Sequence, residues 1–122
     1  MPVYITNIHC QPAGPFQGPM VLSVCPIPEK RAVRAIEITA RYPRVHGPPV
    51  HTGKPQPIRI SSLGQPDSGD AVKIDPDEIP LFWACGVTPQ AVAQKAKLPL
   101  LISHAPGHMF VTDILSEELS SC

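Results

Sequence analysis

PMVLSVCPIPEKRAVRAIEITARYP, residues 19–43, changes its hydrophobic period halfway along, and that change decides the fold class. Pro19 to Val24 is a short apolar run of strand type. From Pro28 to Tyr42, Val33, Ile36 and Ala40 recur at helical spacing. Pro28 suits the first turn with Glu29 beside it, and Pro43 ends the helix. Upstream, PVYITNI alternates in the strand manner, and the turn-rich CQPAGPFQG joins it to the run at Pro19. Downstream, IPLFWA (Ile79 to Ala84) reads as a buried strand. CGVTPQAVAQKAK follows as a helix with Thr88 as N-cap and Pro89 at the first helical position. Ile58 to Ile60, Val72 to Ile74, PLLIS and MFVTDI read as further short strands. PVYITN…GPMVLSV and PLLISH…GHMFVTD echo one another as strand, Gly-containing turn, Met, strand, a match too short to establish a duplication.

Strands and helices are therefore mixed, with too few regular βα pairs for a doubly wound sheet. The expected class is α+β: a mainly antiparallel or mixed sheet with about two helices packed on one face, and long loops. Residues 1–115 are expected to form a single domain, with 116–122 as a frayed tail.

Composition narrows the function classes. Of 122 residues, 43% are hydrophobic and 16% charged, as in a folded body rather than a disordered one. The formal net charge is zero with the two signs interspersed, so neither a nucleic-acid footprint nor a membrane-binding basic helix is present. No apolar run approaches the roughly 20 residues that span a bilayer. MPVYITNIHC has neither signal-peptide nor transit-peptide character. Cys10, Cys25, Cys85 and Cys122 form no CxxC pair and no dense framework, which points to reduced thiols in an intracellular setting. Seventeen prolines without PxxP repetition punctuate a loop-rich fold.

Three segments carry the candidate chemistry. In SHAPGHMFVTD (Ser103 to Asp113), His104 and His108 stand four residues apart, but Pro106-Gly107 between them excludes the helix that zinc proteases use. Pro-Gly instead suits the centre of a type II turn, which puts one imidazole at each end. Imidazole as a class titrates near neutrality, so general acid/base use, with Asp113 orienting one ring, is the preferred functional reading beside the plainer one of two surface turn residues. In WACGVTPQ, a strand runs into a helix and leaves backbone N–H groups at Gly86 to Gln90 to cradle a carboxylate or phosphate. Cys85 there is either a nucleophile with a lowered thiol pKa or a small buried hydrophobe. In VHGPPVHTG, His46 and His51 lie on a long Pro/Gly loop. TNIHC adds Asn7 as a donor, and PDSGD reads as a turn. No recognised zinc spacing joins these histidines and cysteines, so no metal is assigned.

Taken in order, TNIHC, GPMVLSV-PIP, VHGPPVH-G, PDSGD, PLFWACGVTPQ and SHAPGHMFVTD resemble the D-glutamate cyclase family, over about Pro2 to Ile114. FWACGVTPQ and HAPGHM-TD are long and unusual, which makes the resemblance specific. It implies a mixed α/β protein, intracellular or mitochondrial, that dehydrates D-glutamate to 5-oxo-D-proline without a cofactor. In that reading His104 and His108 are base and acid, assisted by Asp113. Asn7, His46, His51, Cys85, Gly86, Thr88 and Gln90 bind the small carboxylate substrate. Family members carry a further N-terminal segment, so this chain resembles the C-terminal portion of the module. The segment's place at a sheet edge would otherwise fall to a second copy, giving a homo-oligomer. Two other readings remain open: a non-catalytic carboxylate-binding or assembly module, and a metal-assisted hydro-lyase using some of His46, His51, His104, His108 and Cys85.

Overall fold

The computed structural model of the chain describes residues 1–105 and 107–121. Strands β1 (Val3–His9), β2 (Pro19–Pro28), β3 (His51–Thr52) and β4 (Glu78–Ala84) form one sheet in the order β1-β2-β4-β3. Every neighbouring pair is antiparallel. Helix α1 (Glu29–Ala40) leaves β2 without a loop, and α2 (Val87–Lys95) follows β4 after two residues. The result is the expected α+β class.

Alternation along the strands separates two apolar layers. Tyr4, Leu22, Val24 and Phe82 share one face and pack with Ile58 and Ile60, which cross over the sheet from the loop between β3 and β4. Phe82 and Leu22 are wholly buried and Tyr4 nearly so. Each such side chain contributes about 1.5–3 kcal/mol by leaving water. On the other face Val3, Val21 and Cys85 meet Val87 and Ala91 of α2. Helix α1 packs on β2 and β4.

The long β2–β4 ladder tolerates its prolines for a geometric reason. Pro26 stands opposite Pro80. The carbonyls of Pro80 and Phe82 accept from Gly53 and Val50 on the β3 side, so the Pro26–Pro80 pair falls where β2 and β4 exchange no hydrogen bond. Neither missing N–H is needed there. The outer edge of β1 is also covered. Val3 exchanges backbone bonds with Asp67 and Ser68, and Ile5 N–H donates to Asp67 Oδ2 at 2.7 Å. PDSGD is thus the expected turn, and its work is to blunt an edge. Gly69 sits there at φ +79°, where a Cβ would collide with the Met1 carbonyl.

Several local expectations are corrected. Ile58–Ile60 is not a strand: Gln56–Ile58 is a 3-10 turn ending at Arg59, whose φ is +66°. The two isoleucines alternate inward like strand residues but cross the sheet instead of pairing with it. Val72–Ile74 and the runs PLLIS and MFVTDI also lack strand partners among the described residues. In α1 the inward stripe is Ala32, Ala35, Ile36 and Thr39, whereas Val33 is 68% exposed. Small residues let the helix approach the sheet it leaves so abruptly. The N-cap of α2 is Gly86, not Thr88. The terminal residues form a 3-10 turn (Ser116–Leu119), and Ser121 N–H donates to the Arg41 carbonyl at 2.6 Å. Cys122 lies outside the described residues. Among those described, no helix is long and apolar enough to cross a membrane.

Candidate functional site

The site grows from the end of β4. Cys85 N–H still bonds to the Val21 carbonyl, at 3.0 Å, and then the chain turns through Gly86 into α2. Thr88 bolts this turn down: its Oγ1 accepts from Val21 N–H and donates to the Val21 carbonyl, both at 2.9 Å. The hydroxyl expected to face a ligand is therefore committed to β2. Among the described residues, the N–H groups of Gly86 and Val87 donate to no backbone carbonyl. They carry the partial positive charge of a helix start.

His104 lies directly on Gly86. A Cβ at that glycine would stand 3.1 Å from His104 Nε2 and 3.4 Å from Cε1. Glycine is required here for close approach, not for backbone freedom, since its φ is −58°. The ring is held from behind by Nδ1, 2.9 Å from the Ala105 carbonyl. A carbonyl only accepts, so Nδ1 carries the proton of that contact, and in the neutral tautomer Nε2 is left as an acceptor. Gln90 Nε2 donates to Ser103 Oγ at 2.7 Å and to the His104 carbonyl at 2.6 Å. Gln90 thus fastens the histidine's own segment to α2.

His46 reaches the same place from the loop after α1. Its Nδ1 is 2.7 Å from the Ala84 carbonyl, one peptide before Cys85, so its Nε2 is also left as an acceptor. His108 follows a turn closed by its own N–H to the Ala105 carbonyl at 3.0 Å, with Gly107 at φ +76°. Those are the features of the expected type II turn; Pro106, at its centre, lies outside the described residues. His46, Cys85, Gly86, Val87, His104 and His108 line one cleft of about 590 Å3, together with Met109, Phe110 and Val111.

Other residues singled out from the sequence lie elsewhere. Asn7 Nδ2 donates to the Pro57 carbonyl at 3.2 Å. His51 belongs to β3, with Nε2 2.6 Å from the Lys54 carbonyl and its ring 5.6 Å from that of Phe82. Asp113 is not among the residues that line the cleft. Cys85 is buried, and its side chain packs with Val3 and Val21. Val87 falls within the Gly86 to Gln90 cradle read from the sequence, whereas Ser103 was not singled out, and only its adjacency to His104 pointed to it. Among the described residues, no three His, Cys, Asp or Glu side chains are grouped to hold a metal ion.

An α+β domain whose cleft is lined by two backbone-anchored imidazoles and the start of a helix is the class that the fold and cleft define. More particularly, the chain belongs to the D-glutamate cyclase family, whose model matches residues 1–113. A Rhodopseudomonas palustris protein is 58% identical over 120 residues, covering 98% of this chain and 44% of the relative. A Bacillus licheniformis protein is 58% identical over 118 residues, 97% of this chain and 45% of its own. A Thermoanaerobacter pseudethanolicus protein is 57% identical over 122 residues, 100% and 46% respectively. Each carries the name "Putative hydro-lyase". The chain thus spans under half the length of these relatives. All three are bacterial, and the mitochondrial location finds no support in them.

Proposed function

We propose that this chain carries a hydro-lyase site for a small amino-dicarboxylate, and that its reaction is the cyclising dehydration of D-glutamate to 5-oxo-D-proline. The observation that carries the proposal is the seating of the His104 imidazole on Gly86 at the start of α2. It sets a base within reach of the helix end that best holds a carboxylate. The family membership supports the substrate; the relatives' names support only the reaction type.

Ring closure requires the α-amine to attack the γ-carboxyl carbon. The new bond is C–N, and the bond broken is from that carbon to a carboxylate oxygen, which departs as water. At neutral pH the ammonium loses two protons, and the departing oxygen gains two, so no net proton is taken from solvent. A pair of imidazoles can carry this traffic. One Nε2 removes a proton from the amine while the other ring, protonated, delivers one to the leaving oxygen. His104 and His46 suit these roles because each is anchored through Nδ1. His108 completes the polar side of the cleft. The Gly86 and Val87 N–H groups hold the α-carboxylate, or the oxyanion that develops at the γ-carbon. Fixing both ends of a flexible chain in a ring-closing pose supplies much of the acceleration through entropy already spent on binding.

Incubation with D-glutamate and separately with L-glutamate, followed by chiral chromatography of 5-oxoproline, tests the proposal. The expected result is product from the D-enantiomer, a pH limb in the neutral range, and loss of at least about 100-fold in His104→Ala, the scale of acid/base catalysis. Full turnover in both His104→Ala and His46→Ala would remove the acid/base roles. Binding of D-glutamate without turnover would favour the carboxylate-binding module instead.

A further inference from the structure

Residues 98–114 present a contradiction between local sequence and surroundings. Their apolar runs are of strand type, yet Leu100, Ile102, Met109, Phe110 and Val111 are each 74–87% exposed. Among the described residues, the amides of Leu100–His104 and Met109–Asp113 donate to no backbone carbonyl. Unpaired backbone beside contiguous exposed apolar side chains is the surface of an interaction, not of a finished monomer. The same residues lie inside the family match, which runs to residue 113, and inside an alignment covering 98% of this chain at 58% identity. In those relatives they belong to chains more than twice as long.

We propose that the 98–114 segment is the docking surface for the polypeptide that makes up the rest of those relatives. That polypeptide would pair with the free backbone groups and cover Ile102 and Phe110. A second copy of this chain fits less well, because it would present the same excess of unpaired segment and leave relatives of twice the length with half their chain unaccounted for at this surface. The seat adjoins the cleft, since Met109 to Val111 line it and Ile102 lies beside Ser103 and His104. Docking there would close the cleft to water at these residues.

The test needs no turnover, so it stands or falls apart from the substrate. The part of the Bacillus licheniformis relative outside the matched region is produced separately and mixed with the full 122-residue chain. A second version tethers the two through a flexible Gly/Ser linker, so that poor folding of the isolated part does not decide the matter. Hydrogen exchange at residues 100–113 and mass by light scattering are read in both. A 1:1 complex is expected, with exchange at 100–113 slowed at least 100-fold against the chain alone. Ile102→Asp and Phe110→Asp should each weaken association at least about 30-fold, as at a buried hot spot, with an unchanged circular dichroism spectrum. Unslowed exchange in both mixed and tethered forms would overturn the proposal. So would a homodimer of the chain alone that already protects the same amides.

Discussion

At the scale of single residues the site depends on what Gly86 lacks. An added methyl would press on His104 Nε2 at 3.1 Å, so the exposed ring must give by a few tenths of an ångström. Gly86→Ala is therefore expected to lower D-glutamate turnover at least about 10-fold, the cost of a modest misplacement of a catalytic group. Its unfolding free energy should change by less than about 1 kcal/mol, because the backbone angle suits alanine and the displaced ring is on the surface. Steady-state kinetics beside a urea melt separate the two effects. The sequence made Gly86 and His104 visible as motifs but not as neighbours, since nothing in FWACGVTPQ or HAPGH states that one rests on the other. His46 was visible only as a loop histidine. Its partner, the Ala84 carbonyl, is 38 residues away and is chosen by how the loop after α1 returns to the sheet. Asp113 closes the motif in sequence, whereas at His104 the contact to Nδ1 is the Ala105 carbonyl.

At the scale of elements, the join between β4 and α2 carries both the site and much of the order around it. Thr88→Val removes both hydrogen bonds to Val21 while nearly keeping the shape, and should cost about 1–3 kcal/mol by stranding the Val21 N–H, since the Val21 carbonyl keeps the Cys85 N–H. Thr88→Ser should recover most of that, and urea midpoints for the three proteins would show the order. Gly69→Ala is expected to cost about 1–3 kcal/mol by strain at positive φ and collision with the Met1 carbonyl. Differential scanning calorimetry checks the loss. The strands β1, β2 and β4 and both helices were readable from hydrophobic period, punctuation and caps. The short β3 was not, because two residues carry no period. PLLIS and MFVTDI were read as strands from composition, which reports preference but not the presence of a partner. The prolines obscured the length of β2, since only the register shows that Pro26 faces Pro80 where no N–H is needed.

At the scale of the molecule, Tyr4 ties the sheet to the loop that roofs it. It is almost wholly buried, and its hydroxyl donates to the Leu63 carbonyl at 2.7 Å. Burial, with the Asp67 charge second, raises its phenol above the ordinary value of 10.0. The unfolded chain ionises first as pH rises, so this contribution is complete below pH 10 and is lost as pH climbs toward the folded value. Urea midpoints should therefore fall above pH 10. The fall should be shallower in Tyr4→Phe, which also loses about 1 kcal/mol at neutral pH with its hydrogen bond. The overall class was legible because strand and helix periods alternate so plainly in residues 19–43. His46, Gly86, His104 and His108 were set at one site only through the family resemblance, because long-range contacts are not encoded in any local pattern. The most direct measurement is a titration of histidine-labelled protein with D-glutamate, followed by NMR of the imidazole rings and backbone amides. The rings of His46 and His104 and the amides of Gly86 and Val87 should shift together and saturate at one concentration, with His51 and His9 unmoved. Saturable shifts at His51 or His9 with His46 and His104 still would place the ligand elsewhere and contradict the site.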